Sequence, residues 1–396
     1  MKVSEVAALR SPVGRAMLEA IGSYDSAATM RIAETLRAAG HPADLVAAAL
    51  TQARLRDRAR VKFGPDAERM LFTAAGLQQA TRAVVAAHRA GRLCTLGAGE
   101  LRVADLCSGI GGDTLALARA GCTVAAVELD SVTAAMAAGN IDELSLADRA
   151  HLTCGDATGV DRSAFDAVFL DPSRRAGGRR IFNPEAYLPP WEFVLSTLAG
   201  PACVKVAPGI PHERIPAGVE AEWVSDHGEV KEAALWSAAL RTADRRATLL
   251  PGGATVTGTG LARAPVRPPG RWLYEPDGAV IRAHLVAEVA AQIDAGLIDP
   301  QIAYLTADSL VATPFATAYE VTDVLPFSVK ALRALLRAQE VGAVTVKKRG
   351  SAIEPETLRR QLRLTGAEHA VVVVTRVTGK PTVFVCRPPA SPTGTH

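Results

Sequence analysis

From about residue 66 to residue 240, short β-branched runs alternate with runs of helical period, and such a chain closes on a mostly parallel sheet with helices over both faces. Strand candidates lie near 102–107, 124–128, 150–154, 167–170 and 202–206. Two more, near 220–225 and 232–240, have no long helix between them and read as an antiparallel hairpin. The expected core is therefore α/β with seven strands. In such sheets ligands bind beyond the carboxyl ends of the strands, so chemistry is sought in the residues that follow each strand.

At 396 residues the chain exceeds what one core usually serves, and its flanks differ from its centre. Residues 1–64 show helical periodicity only: one helix is bounded by Asp25 or Ser26 and by Gly40, and a second begins after Pro42. The second carries Arg54, Arg56, Arg58, Arg60 and Lys62, either a solvated face or a contact for a phosphate backbone. The core domain is expected over 65–250. Residues 251–270, PGGATVTGTGLARAPVRPPG, read as a Gly/Pro-rich boundary. A small α+β, ferredoxin-like segment follows over 268–325, with a helix near 277–292 and strands near 302–306 and 317–324. The end, 326–390, reads helix from a Ser328 cap to Glu340, strand 343–348, helix 355–363, strand 369–376, a turn at Thr378 and Gly379, and strand 381–386.

Net charge is +3, but from Pro326 onward 12 Lys or Arg stand against 4 Glu and no Asp, so the rest is net negative. A basic end of this kind either meets a polyanion, most often nucleic acid, or is a solvated Arg-rich surface. With 48% apolar and 21% charged residues the composition is that of an ordered globular chain. No stretch approaches the roughly 20 apolar residues of a membrane span, and no apolar signal segment opens the sequence. Cysteines 94, 107, 122, 154, 203 and 386 show neither CxxC pairs nor metal-ligand spacing, which predicts reduced thiols, no metal and a cytoplasmic location.

The strongest motif is DLCSGIGGDT, Asp105 to Thr114, between an apolar strand and the helix TLALARA. Gly109, Gly111 and Gly112 remove Cβ atoms where the backbone turns and approaches a ligand, and the next helix offers free N–H groups. A nucleotide-like ligand is expected. A nicotinamide dinucleotide fingerprint would be G-x-G-x-x-G, and Thr114 stands where its third glycine belongs. Nineteen residues past Gly109 the next strand ends on Glu128, placed to accept hydrogen bonds from two ribose hydroxyls. Asp130 reads as the N-cap of the helix beginning SVTAAMAAGN. The third strand runs into CGDAT, where Asp156 is either an acceptor for an adenine amino group or an ordinary turn cap.

The fourth strand ends FDAVFLDPSRRAGGRR, so Asp171, followed by the φ-locking Pro172, faces the crevice. With a backbone carbonyl it can bind the two hydrogens of an exocyclic amine and turn the nitrogen lone pair toward a transferable methyl group. Arg174, Arg175, Arg179 and Arg180 follow among glycines, either a loop gripping phosphates or exposed charges. His212, His227, Lys231 and Glu232 stand around the last strands, and a histidine there reads as a surface or capping residue rather than an acid–base group. In the basic end Lys347, Lys348 and Arg349 leave a strand, and Arg359, Arg360 and Arg363 follow on a helix. Arg359 and Arg363 are four apart and share a helix face, which with Lys347 to Arg349 makes one patch that either grips an RNA backbone or only keeps the domain soluble.

The order of glycine loop, acidic strand end, third-strand Asp and fourth-strand Asp-Pro resembles the class I S-adenosylmethionine-dependent methyltransferases. DLCSGIGGDT is similar to the D-x-x-C/S-G-x-G-G-N/D-T loop of their trimethylguanosine-synthase-like branch. With KFGPDAERMLFTAAGLQQATRAVVAAHR and YEPDGAVIRAH, nearly the whole chain resembles bacterial methyltransferases that carry a C-terminal THUMP-like domain. The resemblance implies a Rossmann-like core, S-adenosylmethionine as cofactor and RNA, either rRNA or tRNA, as substrate. It implies that Thr73, Asp105, Cys107, Gly109, Gly111, Gly112, Asp113, Thr114, Glu128, Leu129, Asp156, Ala157 and Asp171 line the cofactor, with Phe72, Thr73 and Gln79 covering its methionine end. Asp171 and Pro172 are then the catalytic pair, and Arg174, Arg175, Lys347, Lys348, Arg349, Arg359 and Arg363 meet the substrate.

Amine methyltransferases acting on bases show D/N-P-P and then a stacking aromatic, whereas Asp171 and Pro172 precede Ser173 and Arg174, leaving the stacking role to Tyr187 or Trp191. DPSRRAGG is also similar to the DPPR-x-G of C5-uridine methyltransferases. Those need a cysteine after the fifth strand, where this chain has Val206 and Ala207, with Cys203 inside the strand. The 5-methylcytosine type needs Pro-Cys, and residue 173 is Ser. Direct transfer to nitrogen or oxygen is the expectation. The rivals are a nicotinamide-dependent oxidoreductase, a methyltransferase of proteins or small molecules, and an RNA-binding protein with a non-catalytic core, for which no aromatic-rich recognition signature is present.

Overall fold

In the computed structural model of the chain, which describes residues 1–95, 100–173, 175–176, 179–180 and 186–387, the N-terminal segment is helical as expected. It forms α1 (Val3–Arg10), α2 (Pro12–Ile21), α3 (Thr29–Ala38) and α4 (Ala43–Phe63). Ser11 starts α2 by accepting the Gly14 N–H at 3.1 Å, with Pro12 at the first helical position. Asp25 does not cap α3: its Oδ1 accepts the Ala27 N–H in a turn, and the helix begins later, at Thr29. Val6, Leu9, Met17, Leu18, Ala33, Val46 and Ala49 bury one face of each helix in a core that also takes Leu71 and Met136. The arginine run on α4 is not one solvated face, because Arg56 donates to the Met70 carbonyl and Lys62 to those of Leu77, Gln78 and Ala80.

After α5 (Ala74–Gln79) and α6 (Ala83–Cys94) the α/β pattern begins: β1 (Arg102–Leu106), α7 (Gly112–Arg119), β2 (Thr123–Glu128), α8 (Ser131–Glu143), β3 (Ala150–Cys154), β4 (Ala167–Leu170), α9 (Trp191–Leu198), β5 (Ala202–Val206), β6 (Glu220–Asp226) and β7 (Glu229–Trp236). The sheet runs β3-β2-β1-β4-β5-β7-β6 and continues into β8 (Arg245–Leu250) and β9 (Ala254–Gly258). The first five strands are parallel, and β7 is antiparallel to β5. All seven expected strands are present, in a sheet of nine. The Gly/Pro-rich stretch does not open as a boundary: Pro251 to Gly253 form a hairpin turn, with Gly253 at φ +74°, and the chain returns antiparallel.

The described chain clusters into two compact units, Met1–Glu220 with Glu232–Thr242, and Ala221–Lys231 with Ala243–His396. In the second unit lie β10 (Trp272–Pro276), α10 (Gly278–Arg282), α11 (Val286–Gln292), β11 (Gly296–Asp299), β12 (Ile302–Ala307), β13 (Ala316–Pro326), α12 (Val329–Ala338), β14 (Val341–Lys348), α13 (Pro355–Leu362), β15 (Glu368–Val377) and β16 (Lys380–Cys386). They share one sheet, ordered β11-β12-β10-β13-β16-β15-β14. Eleven-residue β13 pairs β10 along Ala316–Glu320 and β16 along Val321–Pro326, so one strand joins the segment before residue 326 to the basic end. The single helix expected over 277–292 breaks at His284, which takes φ +61°. Leu332, Leu336, Leu358 and Leu362 press α12 and α13 onto the sheet, leaving their polar faces outside. Because α13 stops at Leu362 and Arg363 is its left-handed C-cap, Arg359 and Arg363 do not share a helix face. No helix among the described residues is long and apolar enough to cross a membrane.

Candidate active site

Strands β1 and β4 are neighbours whose following segments run to opposite sides, and the crevice of a doubly wound sheet opens at such a point. The loop after β1 reverses sharply through Cys107, Gly109 and Gly111, at φ +64°, +57° and +87°. Its backbone is tied to its neighbours: Ser108 N–H donates to the Val127 carbonyl and Asp171 N–H to that of Leu106. A Cβ on Gly109 would meet nothing within 4 Å, so this peptide borders open space. The Glu128 carboxylate is fixed by the N–H groups of Gly109 and Asp130, both at 2.9 Å. Beside it Leu129 is 72% exposed, an unusual posture for a leucine. Asp130 caps α8 through the Thr133 N–H, as expected. Asp156 caps the turn that follows β3, and the N–H of Thr158 donating to it holds its carboxyl below the ordinary range. Ala157 is buried behind it.

Asp105 and Thr114 lie beneath the loop, both wholly buried, with the threonine hydroxyl donating to Asp105 Oδ2 at 2.5 Å. Asp105 Oδ1 and Ser108 Oγ are buried without a hydrogen-bond partner among the described residues. Burial first, and then the charge of Asp113, push the Asp105 carboxyl up to about 8. An unfolded aspartate ionises near 4 (about 3.9), so from there to about pH 8 the folded chain holds a proton that the unfolded chain has lost. Stability conferred by that proton is complete below the window and is lost as pH rises through it, by at most about 1.4 kcal/mol per pH unit. Asp105→Asn removes the effect. Urea midpoints of the ligand-free proteins should coincide near pH 4 and separate in favour of the variant toward pH 8, and a gap that does not change with pH would refute the assignment.

Asp113 and Thr114, expected at a cofactor, turn their side chains into the protein. Asp113 accepts from the Thr81 hydroxyl at 2.8 Å with one oxygen and from Arg89 with the other, so only the backbone at the start of α7 remains for a ligand. Two buried amides absent from any motif frame the loop. Gln52 exchanges two hydrogen bonds with the Phe72 backbone, at 2.8 and 2.9 Å, while Asn140 bonds both the Leu71 backbone and the Ile110 carbonyl. Thr73 then caps α5 through the Gly76 N–H, and Gly76 approaches Ile110 so closely that a Cβ would lie 2.6 Å from it. Gln79 is exposed at the end of that helix.

Asp171 meets a partner that no motif announces. Its Oδ2 accepts from Lys205 Nζ at 2.6 Å, and the lysine also donates to Thr81 Oγ1 at 2.9 Å. The lysine side chain is 4% exposed and that of Asp171 25%. Behind Thr81, Arg89 bridges Asp113 and Glu232 and lies 4.5 Å above the Phe169 ring. Burial would pull its guanidinium down, and the two carboxylates hold it up. Glu232 is thus an interior residue. Pro172 is buried. Arg174 lies outside the described residues, and Arg175–Ala176 pairs with Arg179–Arg180. Tyr187 and Trp191 do not offer a face to a base: both are buried, packed edge to face at 6.1 Å, with the Ala207 N–H donating to the tyrosine hydroxyl. Cys203 is buried within β5. His227 stands exposed at the β6–β7 turn against Asp226 and Lys231 pairs with Glu229, while His212 lies in a single helical turn.

Most of the expected basic patch is already matched. Lys347 pairs with Glu275, Lys348 with Glu354 and Arg359 with Glu356, while Arg349 donates to the Ala303 carbonyl. Lys330, Arg337, Arg360 and Arg363, on and around α12 and α13, are exposed and have no carboxylate partner among the described residues. No group of three His, Cys, Asp or Glu suited to a metal occurs among them either.

A family model described as RNA cap guanine-N2 methyltransferase matches residues 101–182, a THUMP domain-like model matches 316–388, and a domain of unknown function matches 2–59. Curated proteins from two strains of Mycobacterium tuberculosis, each named an uncharacterized S-adenosylmethionine-dependent methyltransferase, are 39% identical over 350 residues, covering 84% of this chain and 95% of theirs. A solved structure from Porphyromonas gingivalis, assigned as a methyltransferase, superposes with a TM-score of 0.72 at 20% identity over 92% of this chain and 99% of that one, which supports the fold.

Proposed function

Because the chain belongs to the S-adenosylmethionine-dependent methyltransferases, we propose that it methylates a nitrogen of a base in structured RNA, rRNA or tRNA, by direct in-line transfer. The observation that carries this reading is Asp171, held at the crevice by one carboxylate oxygen while the other accepts no hydrogen bond among the described residues. Bound there, the cofactor supplies a methyl group on a sulfonium. The residues fit it: Asp105 Oδ1 and Ser108 Oγ are polar atoms without a hydrogen-bond partner among the described residues behind the loop, and Gly109 leaves room for a close approach. In this reading Glu128 accepts the ribose hydroxyls, and Leu129 and Ala157 flank the adenine with Asp156 at its edge. Thr73, Cys107, Gly111, Gly112 and the backbone of Asp113 and Thr114 line the rest. Glu128→Ala should weaken cofactor binding by about 1–3 kcal/mol in calorimetry, the loss expected for hydrogen bonds to a charged acceptor. Unchanged affinity would remove Glu128 from the site.

An exocyclic amine is favoured by the family model over 101–182, described by guanine-N2 methylation. Cys203 in mid-strand gives C5 chemistry no nucleophile. RNA is supported by the THUMP-like match and by Lys330, Arg337, Arg360 and Arg363, four exposed cations on and around α12 and α13 without a carboxylate partner among the described residues. We assign docking to Lys330, Arg337, Arg360 and Arg363 rather than to the matched Lys347, Lys348 and Arg359. Neutralising the four should weaken RNA binding and flatten the log–log salt slope by somewhat under one unit per lost phosphate contact. Neutralising Lys347, Lys348 and Arg359 should change the slope less, and the reverse ranking would overturn the assignment. The whole reading is tested by tritium transfer into total RNA from a strain lacking the protein, followed by nucleoside mass spectrometry. A methylated base nitrogen is the expected product, and RNA left unlabelled defeats the reading.

A further inference from the structure

Lys205 occupies the middle of a strand buried along its whole length, a costly place for a cation unless acceptors meet it. Asp171 Oδ2 and Thr81 Oγ1 do so, at 2.6 and 2.9 Å. Thr81 gives its own proton to Asp113, whose other oxygen is held by Arg89, and Arg89 ends on Glu232. The chain of contacts runs inward from the crevice. Asp171 is its most exposed member.

We propose that Lys205 is a positioning residue for methyl transfer, clamping Asp171 at Oδ2 so that Oδ1 alone faces the acceptor, with Thr81 fixing the clamp. This rests on Asp171 being the group that meets the acceptor. A free carboxylate rotates and presents either oxygen, whereas one held at Oδ2 presents a single oxygen in a single direction. In the step, the lone pair of the acceptor nitrogen forms the new N–C bond as the methyl–sulfur bond breaks and its electron pair stays on sulfur. The N–H proton passes to Asp171 Oδ1 and then to solvent. Lys205 keeps its protons and touches no reacting atom.

The test uses the full chain and an extract of a strain lacking it, labelled from a tritiated methyl donor and separated afterwards into RNA, protein and small molecules, so that a rate is read whichever fraction takes the label. Lys205→Met should lower the single-turnover rate by about 100-fold and leave calorimetric cofactor affinity within about twofold. In an Asp171→Asn background the same change should cost less than about twofold more, because the lysine acts through that carboxylate. Independent, multiplicative losses or a wild-type rate in Lys205→Met overturn the proposal. Thr81→Val leaves both charges in place and should lose about tenfold; if Lys205→Met fails to bind cofactor, a wild-type rate in Thr81→Val overturns the proposal instead. Label in protein or small molecules defeats the RNA reading without touching the Lys205 comparison.

Discussion

Asp171→Ala should lower kcat by about 10²–10⁴-fold, the range a positioned acid–base group contributes, while cofactor affinity stays within about twofold. The split follows from geometry. Glu128 and the glycine loop are bound to each other through the Gly109 N–H, whereas the hydrogen bond from Asp171 toward that loop, among the described residues, comes from its backbone N–H to Leu106 and not from its carboxylate. Removing its side chain therefore leaves the loop's own contacts in place. On the proposed reading, what disappears is the acceptor for the proton that the nucleophile must shed, and Lys205 is left facing a gap. Single-turnover rates and calorimetry on one preparation separate the two quantities, and a variant with wild-type turnover would strip Asp171 of its role.

The largest effect on stability is expected from Arg89→Met. Its guanidinium lies between Asp113 and Glu232, each side chain within a tenth of full burial, so the substitution abandons two carboxylates in the interior. Breaking a buried pair in this way costs about 3–5 kcal/mol, far more than an intact pair is worth against an apolar replacement. Burial alone would disfavour the Arg89 charge, which makes the two anions the reason it persists. The urea midpoint should fall with little change in slope, the mark of lost stability rather than of a different unfolded state. A loss under about 1 kcal/mol would mean that the carboxylates find other partners or protons. Glu232→Gln should cost less, since a neutral amide is left and Asp113 still faces Arg89.

The parts of the site legible in sequence are those imposed by backbone geometry and strand polarity. Gly109 and Gly111 take left-handed angles, and Glu128 and Asp171 end parallel strands, so residue type and position carry the information. Lys205 was hidden for the opposite reason. It stands 34 residues from Asp171 and 124 from Thr81, and within ACVKVA it reads as an interruption of an apolar strand. A lysine flanked by fully apolar strand residues is itself the signal that a carboxylate waits nearby. The charge of Lys347 likewise looks free in the sequence, because Glu275 lies 72 residues earlier. The β8–β9 hairpin escaped because a tight turn and a linker are both rich in Gly and Pro.

In the C-terminal sheet the last of the described strands, β16, lies between β13 and β15. Without Lys380–Cys386 the sheet would fall into two parts with facing open edges, β13 along Val321–Pro326 and β15 along Val371–Val377. The strand that unites the two parts pairs with β15 through a tight turn but with β13 across 65 residues, from Val321 to Cys386. Unpaired edges of this kind recruit other chains, so a chain shortened before Lys380 is expected to present two adhesive edges at once. Lys380–Cys386 alone covers both.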